Sequence, residues 1–492
     1  MPTKKYHFQN RPFVNGEFIN PHSKLKIDKL SPINGDELTK IPNCGENDID
    51  YAVQSARQSF LNRKWVDTNI NKKKQILFNL ANLIEENLNE LAYLDTIETG
   101  RSIKNYFFDS IPKAIHAIRW FTESVDKYYG KSTLMMKNNF SIITNQPIGV
   151  VGIITPWNDP LVVASWKFTP ALLMGNSIIV KPSENSTYSI LKIAELTKKV
   201  GLPKGVFNVV PGLGSKTGKI LAKHKDVDAI YFTGSSETGK KILCYSGESN
   251  MKKVNLECGG KSPFIVSKNC ANLANAAKSL TKNMFYNQGQ ICSAPSRLLI
   301  YKDIKKLFIE MLINNIDRYI PSDPFDMDSE VGCLISKRHK DKISSFIKEG
   351  LDSGANIIKY HYSKENLPLN GQYIIPTIFD NVDSNSNFSK SEIFGPVLSI
   401  IEFESSDKAI EIANNTSYGL ASSIWSSKID EIYKYSRLLH SGLVHVNSYG
   451  EDDNAIPFGG VKQSGIGKDK SFIAFQEYSI TKSICMQFGE FN

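Results

Sequence analysis

The sequence predicts an α/β protein with two alternating strand–helix layers and a small β element outside both. Three observations carry this reading. Between Gly149 and Gly260, short apolar runs alternate with helical stretches. A second alternating region extends from Ser262 to about Val446. Two more strand-like segments, "NNFSIITNQP" and the C-terminal "YSITKSICMQF", belong to neither region. Strands joined by crossover helices are parallel and covered on both faces, so they read as continuous apolar runs.

In chain order, "FVNGEFIN" pairs two short strands through an Asn-Gly turn. Helical spacing follows in "ENDIDYAVQSARQSF" and in "KKKQILFNLANLIEENLNELAYLDTIETG", the latter ending at Gly100. "IPKAIHAIRWFTESVDKYYG" predicts another amphipathic helix, closed by Gly130. Five buried strands come next: "GVVGIITP", "NSIIVKPSE", "GVFNVVPG", "DAIYFTGS" and "KVNLECGG". Helices are expected between them over Leu161–Met174, Thr187–Val200, from Lys216 and from Glu237. The second layer takes its strands from "PFIVS", "SRLLIYKD", "PTIFDNV", "PVLSIIEFE", "ASSIWSS" and "GLVHVN". The two outlying strands are edges that need a partner, either each other or another subunit.

The bulk composition excludes several classes of function. The chain has 492 residues, 41% hydrophobic and 22% charged, as folded soluble domains do. Its formal charge of +9 comes from 59 Lys and Arg against 50 Asp and Glu. Those lysines are scattered, without an arginine-rich block or aromatic interleaving, which argues against nucleic-acid binding. No apolar run is long enough for a membrane span and "MPTKKYHFQN" lacks an apolar signal region, so a cytoplasmic protein is expected. The seven cysteines are widely spaced with no C-x-x-C, which predicts reduced thiols and no metal site.

Ligands of doubly wound sheets sit at the carboxyl ends of the strands. Each strand end here carries residues suited to chemistry. "TPWND" offers the Asn158 amide, a neutral donor for an oxyanion, or else a helix cap. "KPSE" presents Lys181 and Glu184, and a carboxylate there can accept from a ribose diol; a surface ion pair is the ordinary alternative. "FTGSSETG" is a glycine turn opening a helix, a weak phosphate signal. In "LECGG", Glu257 ends an apolar strand, where burial raises a carboxyl toward the range of a general base; a partly exposed strand-end Glu is the ordinary alternative. Finally, "MFYNQGQICSAPSR" places Cys292 behind a Gly/Gln turn with no second cysteine nearby. Such a residue is either a small core hydrophobe or a nucleophile.

Taken in order, "TPWN", "KPSE", "FTGSSETG", "LECGGK", "FYNQGQIC", "EIFGPV" and "PFGGVKQSGIGK" resemble the aldehyde dehydrogenase superfamily over nearly the whole chain. The resemblance implies that Cys292 is the nucleophile, Asn158 the oxyanion donor and Glu257 the base. It implies an NAD site made by Thr155, Pro156, Trp157, Lys181, Ser183, Glu184, Gly214, Phe232, Thr233, Gly234, Ser235, Thr238, Glu257, Glu392 and Phe394. Glu184 would favour NAD, while Lys181 leaves NADP open. The implied fold is a Rossmann-like cofactor domain (1–127 and 148–258), an α/β catalytic domain (259–468) and a bridging sheet (128–147 and 469–492). A homodimer or homotetramer follows from the same resemblance.

Within the superfamily the sequence looks most like the γ-glutamyl-γ-aminobutyraldehyde dehydrogenases. That implies an ω-amino, amido or guanidino aldehyde from polyamine breakdown, with broad aliphatic or betaine-type aldehydes as the alternative. An inactive binding protein of the same fold is the alternative outside enzymes, and the retained Cys292, Asn158 and Glu257 argue against it. Asp159 replaces a common Phe of the substrate tunnel, and "YGEDDN" places Glu451, Asp452 and Asp453 before "PFGG". With Asp109, Trp166 and Phe458, these acids either line the tunnel mouth and attract a cationic aldehyde or simply face solvent. Lys468 stands where the family usually has Arg, with little expected effect.

Overall fold

The computed structural model describes residues 6–134, 138–362, 371–450 and 453–489. The first layer is an eight-stranded sheet. Its parallel core runs, in spatial order, Lys253–Glu257, Ala229–Thr233, Val150–Ile154, Ser177–Lys181 and Phe207–Val209. Nearly every residue of these strands is buried, because helices cover both faces. The order reverses at Val150–Ile154, so a crevice opens beyond the carboxyl ends of the strands there.

Two additions complete this sheet. Phe13–Val14 and Glu17–Phe18 form the expected hairpin, with Asn15 and Gly16 both at positive φ, and Phe13 pairs antiparallel with Val209. At the other edge, Gly465–Ile466 pairs antiparallel with Leu256 and Glu257. This second addition was not anticipated. A segment assigned from sequence to the catalytic half lies in the first sheet and closes over its last strand.

The second layer is a seven-stranded sheet. Pro263–Val266, Arg297–Tyr301, Thr377–Asp380, Val397–Phe403, Ala421–Trp425 and Leu443–Val446 run parallel, with the short Asn356–Ile357 antiparallel at one edge. Asn139–Pro147 and Ser479–Gln487, the two outlying strands, pair with each other antiparallel along their full length. Among the described residues, Ser479–Gln487 remains an edge of that sheet.

Three helical expectations are revised. The long helix ending at Gly100 is two helices, Ile70–Glu86 and Leu88–Thr99, broken at Asn87. The helix expected to close at Gly130 ends earlier, as Ile111–Ser124 with one 3₁₀ turn after it. The helix expected from Lys216 starts as a π-turn, Gly214–Gly218, before Lys219–Lys223. Gly100 itself caps Leu88–Thr99 in the left-handed region, at φ 73°, with no room for a Cβ against Cys333.

Candidate active site

Cys292 follows a 3₁₀ turn, Tyr286–Gly289, in which Asn287, Gln288 and Gly289 all have positive φ. Two of the three are not glycine, so the turn is held against its backbone preference. Side chains hold it. Gln288 Nε2 donates to the Gly332 carbonyl at 3.0 Å, and Gln290 Oε1 accepts from the Ile335 amide at 3.0 Å. Gly289 packs directly on the Gly395 carbonyl, where a Cβ would not fit. The turn thereby presents Cys292, half-buried, at the wall of a cavity of about 670 Å³.

Asn158 lines the same cavity. It sits in the loop after Val150–Ile154, just before the helix Pro160–Leu173. Its amide Nδ2 donates to the Gln290 carbonyl at 3.0 Å, tying it to the cysteine turn. Its own carbonyl accepts from Asn287 Nδ2 at 3.3 Å and from Arg101 Nη1 at 3.4 Å. The alternative role of Asn158, as a helix cap, is not met; Asp159 holds the cap position, without a side-chain cap bond.

The glycines of "LECGG" let Cys292 and Glu392 approach each other. A Cβ on Gly260 would come within 2.7 Å of the Cys292 carbonyl oxygen, and one on Gly259 would collide with the Glu392 carboxylate. The Gly260 amide donates to Glu392 Oε1 at 3.1 Å. Burial raises the Glu392 carboxyl to about 7. Burial also pushes the Cys292 thiol up to about 12, helped by the negative charges of Glu392 and Glu257, while the Ser293 and Cys292 amides pull it down.

Glu257 ends its strand between Thr233 and Gly465, and its carboxylate packs against Gly459, where no Cβ fits. Neither carboxylate oxygen has a hydrogen-bond partner among the described residues. Burial raises its pKa well above the ordinary value, and Asp469 adds to this; Lys167 and Lys468 oppose. Lys167 and Asp469 form a fully buried ion pair at 2.7 Å. Lys468 Nζ donates to the carbonyls of Gly459 and Gly460. Lys468 thus keeps, near the candidate base, the positive charge that the family's usual Arg would carry.

The residues expected around a cofactor gather at the carboxyl ends of the first sheet. Lys181 Nζ meets Glu184 Oε2 at 3.1 Å. Burial opposes the Glu184 charge, but Lys181, with the backbone amides of Glu184 and Gly214, outweighs it and leaves the carboxyl lowered. Ser183 Oγ accepts from the Asn185 amide, and the Pro156 carbonyl accepts from Ser186. Phe232 packs on Gly234, whose amide donates to the Glu257 carbonyl at 3.1 Å. Ser235 caps the helix Ser236–Gly247 by accepting from the Thr238 amide. Trp157 meets Phe394 edge-on at 5.5 Å, and Phe394 stands at φ 60°. The hydroxyls of Thr155 and Thr233 are buried without a partner among the described residues. The charged carboxylate of Glu184 and the helix N-terminus opened by Ser235, both at these strand ends, suit a dinucleotide.

The residues expected on the substrate side fall into two groups. Asp109, Asp159, Trp166, Asp453 and Phe458 do line the cavity, whereas Glu451 and Asp452 lie outside the described residues. Two of these acids are ion-paired. Asp159 pairs with Arg101 at 3.1 Å and accepts from Ser110. Asp109 pairs with Lys113 at 2.8 Å and accepts from the Tyr286 hydroxyl at 2.7 Å. Burial works against the Asp109 charge, but Lys113, Tyr286 and Arg101 outweigh it and lower the carboxyl. Lys470 lies 5.4 Å from the Trp166 ring and 6.0 Å from Phe458. Along the described wall, Asp109 and Asp159 are each paired with a basic side chain.

Arg101, Tyr286, Lys167 and Asp469 were missed from sequence. Lys167 alone carried a signal: a single lysine in an otherwise apolar, fully covered helix requires a buried counter-charge.

Comparison with known proteins decides the lineage. The sequence pattern of the Aldehyde dehydrogenase family matches residues 18–484.

The chain belongs to the aldehyde dehydrogenase family.

This aldehyde dehydrogenase is 41% identical, over 97% of its length and 95% of the relative's, to the Escherichia coli NADP/NAD-dependent aldehyde dehydrogenase PuuC. Its fold superposes with a TM-score of 0.96 on a mutant of P. syringae AldA indole-3-acetaldehyde dehydrogenase in complex with NAD+ and IAA (39% identity, 99% and 98% of the two chains). It matches the γ-glutamyl-γ-aminobutyraldehyde dehydrogenase of Burkholderia cenocepacia J2315 with a TM-score of 0.94 (39% identity, 98% and 97% covered). The aldehyde dehydrogenase fold expected from sequence, two parallel layers with a separate small antiparallel sheet, is the one observed. Among the described residues, no helix is long and apolar enough to cross a membrane.

Proposed function

We propose that this aldehyde dehydrogenase oxidises an aldehyde to its carboxylic acid with NAD, through a covalent intermediate on Cys292. The observation that carries the reading is the opening of Cys292 and Asn158 into one cavity, with Glu392 packed on Gly259 beside the Cys292 backbone and Glu257 packed on Gly459. Thr155, Trp157, Lys181, Glu184, Ser235, Glu392 and Phe394 would hold the dinucleotide. When bound, it supplies the ring that accepts a hydride from the substrate carbon. The carboxylate of Glu184 disfavours a ribose 2′-phosphate, which makes NAD the preferred form, with NADP admitted by Lys181.

In this mechanism the Cys292 sulfur bonds to the carbonyl carbon. The Asn158 amide, exchanging its bond to Gln290, and the Cys292 N–H hold the oxyanion that forms. Loss of hydride leaves a thioester. Glu257 takes a proton from water, the water oxygen bonds to the acyl carbon, and the C–S bond breaks to release the acid.

We assign the substrate to the ω-amino, amido or guanidino aldehydes. Asp159, Arg101, Asp109 and Tyr286 offer paired, polar atoms along the cavity wall, which suit a polar chain better than a plain alkyl one. The name of the B. cenocepacia neighbour points the same way. We expect kcat/KM for 4-aminobutanal, or for an amide of it, to exceed that for hexanal by about 10-fold. Preference for hexanal would instead indicate the broad aliphatic reading.

Assembly into a dimer or tetramer is part of the proposal. Ser479–Gln487 is a nine-residue edge strand with Ile480 49% and Ile484 40% exposed, a surface suited to another copy. Light scattering should report two or four chains per particle; a single chain would remove this part.

A further inference from the structure

Lys29 lies far in sequence from every motif discussed so far, yet it reaches the turn that carries Glu184. Its ammonium pairs with Glu98 and donates to the backbone carbonyl of Glu184 at 2.6 Å. Both side chains are buried, at 5% and 0% exposure. Burying two charges is costly unless their remaining bonds are satisfied. Here they are. Glu98 accepts from the Thr187 amide at 2.9 and 3.0 Å and from the Tyr188 amide at 2.8 Å. These amides open the helix Tyr188–Lys199, which has no side-chain cap of its own at Thr187. A carboxylate imported from another helix caps it instead. Lys29 also lies 5.2 Å from the Tyr188 ring, and the Tyr188 hydroxyl donates to the Thr39 carbonyl.

Glu184 is therefore fixed at two points. Lys181 holds its carboxylate, and Lys29 holds its carbonyl. Glu98 anchors the far end of the same turn. We infer that Lys29, through Glu98 and the Glu184 carbonyl, is a positioning residue that sets the Glu184 carboxylate for the ribose of the dinucleotide. The inference rests on the reading of Glu184 as the ribose ligand. It places a cofactor-affinity determinant in the N-terminal segment, outside the strand–turn–helix units that make the site. A tether of this kind stabilises bound cofactor equally before and during the reaction, so it acts on KM and leaves kcat.

The test compares Lys29→Met, Glu98→Gln and Glu184→Gln, each purified as the whole enzyme. Calorimetry gives Kd for NAD, and steady-state assays give KM and kcat. Lys29→Met should weaken NAD binding about 10-fold or more, with kcat at saturating NAD within about 3-fold of wild type. Addition of ethylammonium to Lys29→Ala should recover part of the lost affinity, which a merely structural role would not produce. Should Lys29→Met fail to fold, Glu98→Gln carries the same expectation. Unchanged Kd in a folded Lys29 or Glu98 variant would overturn the inference, as would a fall in kcat alone. If Glu184→Gln itself binds NAD normally, the ribose assignment has failed; if it weakens binding while Lys29→Met does not, only the tether has.

Discussion

Cys292→Ala should abolish NAD-linked aldehyde oxidation, lowering kcat/KM by at least about 10⁴-fold, with NAD affinity and fold intact. The size follows from losing the whole covalent route at once, since a nucleophile and its helpers act as a unit. The selectivity follows from position. Cys292 is half-buried at a cavity wall, so truncation removes little packing. No other cysteine lines that cavity; Cys44, Cys258 and Cys333 are buried elsewhere, and burial raises each of their thiols. Because the Cys292 thiol is itself pushed up to about 12, the reactive thiolate is scarce near neutrality in the cofactor-free protein. The rate of thioester formation should thus rise with pH, since deprotonation increases as pH climbs toward the thiol's pKa. Turnover surviving in Cys292→Ala within about 10-fold of wild type would place the nucleophile elsewhere.

Those residues were legible where chemistry and local backbone coincide. Glycines after strands, a lone cysteine behind a tight turn and an acid ending an apolar strand each combine a special backbone with a reactive group. Their order along the chain then carried the family resemblance. What stayed hidden depends on side chains that meet across the fold. Arg101 lies 58 positions before its partner Asp159, and Lys167 lies 302 positions before Asp469. Sequence displays the charges of such pairs but not their neutralisation, which is why it leaves open whether the acids near the substrate attract a cation. The strand Gly465–Ile466 was hidden for a different reason. It is two residues long, carries two glycines nearby and gains its shape from the edge of Lys253–Glu257. Gly459 of "PFGGVKQSGIGK" becomes intelligible only afterwards, as the space that Glu257 occupies.

That space makes Glu257→Gln the sharpest remaining prediction. The substitution keeps the shape, and neither oxygen of Glu257 has a hydrogen-bond partner to lose among the described residues. Folding should be preserved, since a neutral amide is easier to bury than a carboxylate. Chemistry should divide in two. Thioester formation needs Cys292 and Asn158 and should proceed, giving a burst of about one NADH per site. Hydrolysis needs a base and should slow by about 10²–10⁴-fold. The pH dependence has a definite sign. Burial and Asp469 raise the Glu257 pKa well above that of an ordinary carboxyl, so the base form appears only as pH increases through that raised value. Wild-type hydrolysis should rise with pH over that interval, and Glu257→Gln should lose the rise. Stopped-flow absorbance with a matched steady-state pH profile measures both. Near-normal turnover without a burst would show that another group activates water. In that event the buried Lys167–Asp469 pair, whose charges already bias Glu257, becomes the next place to look.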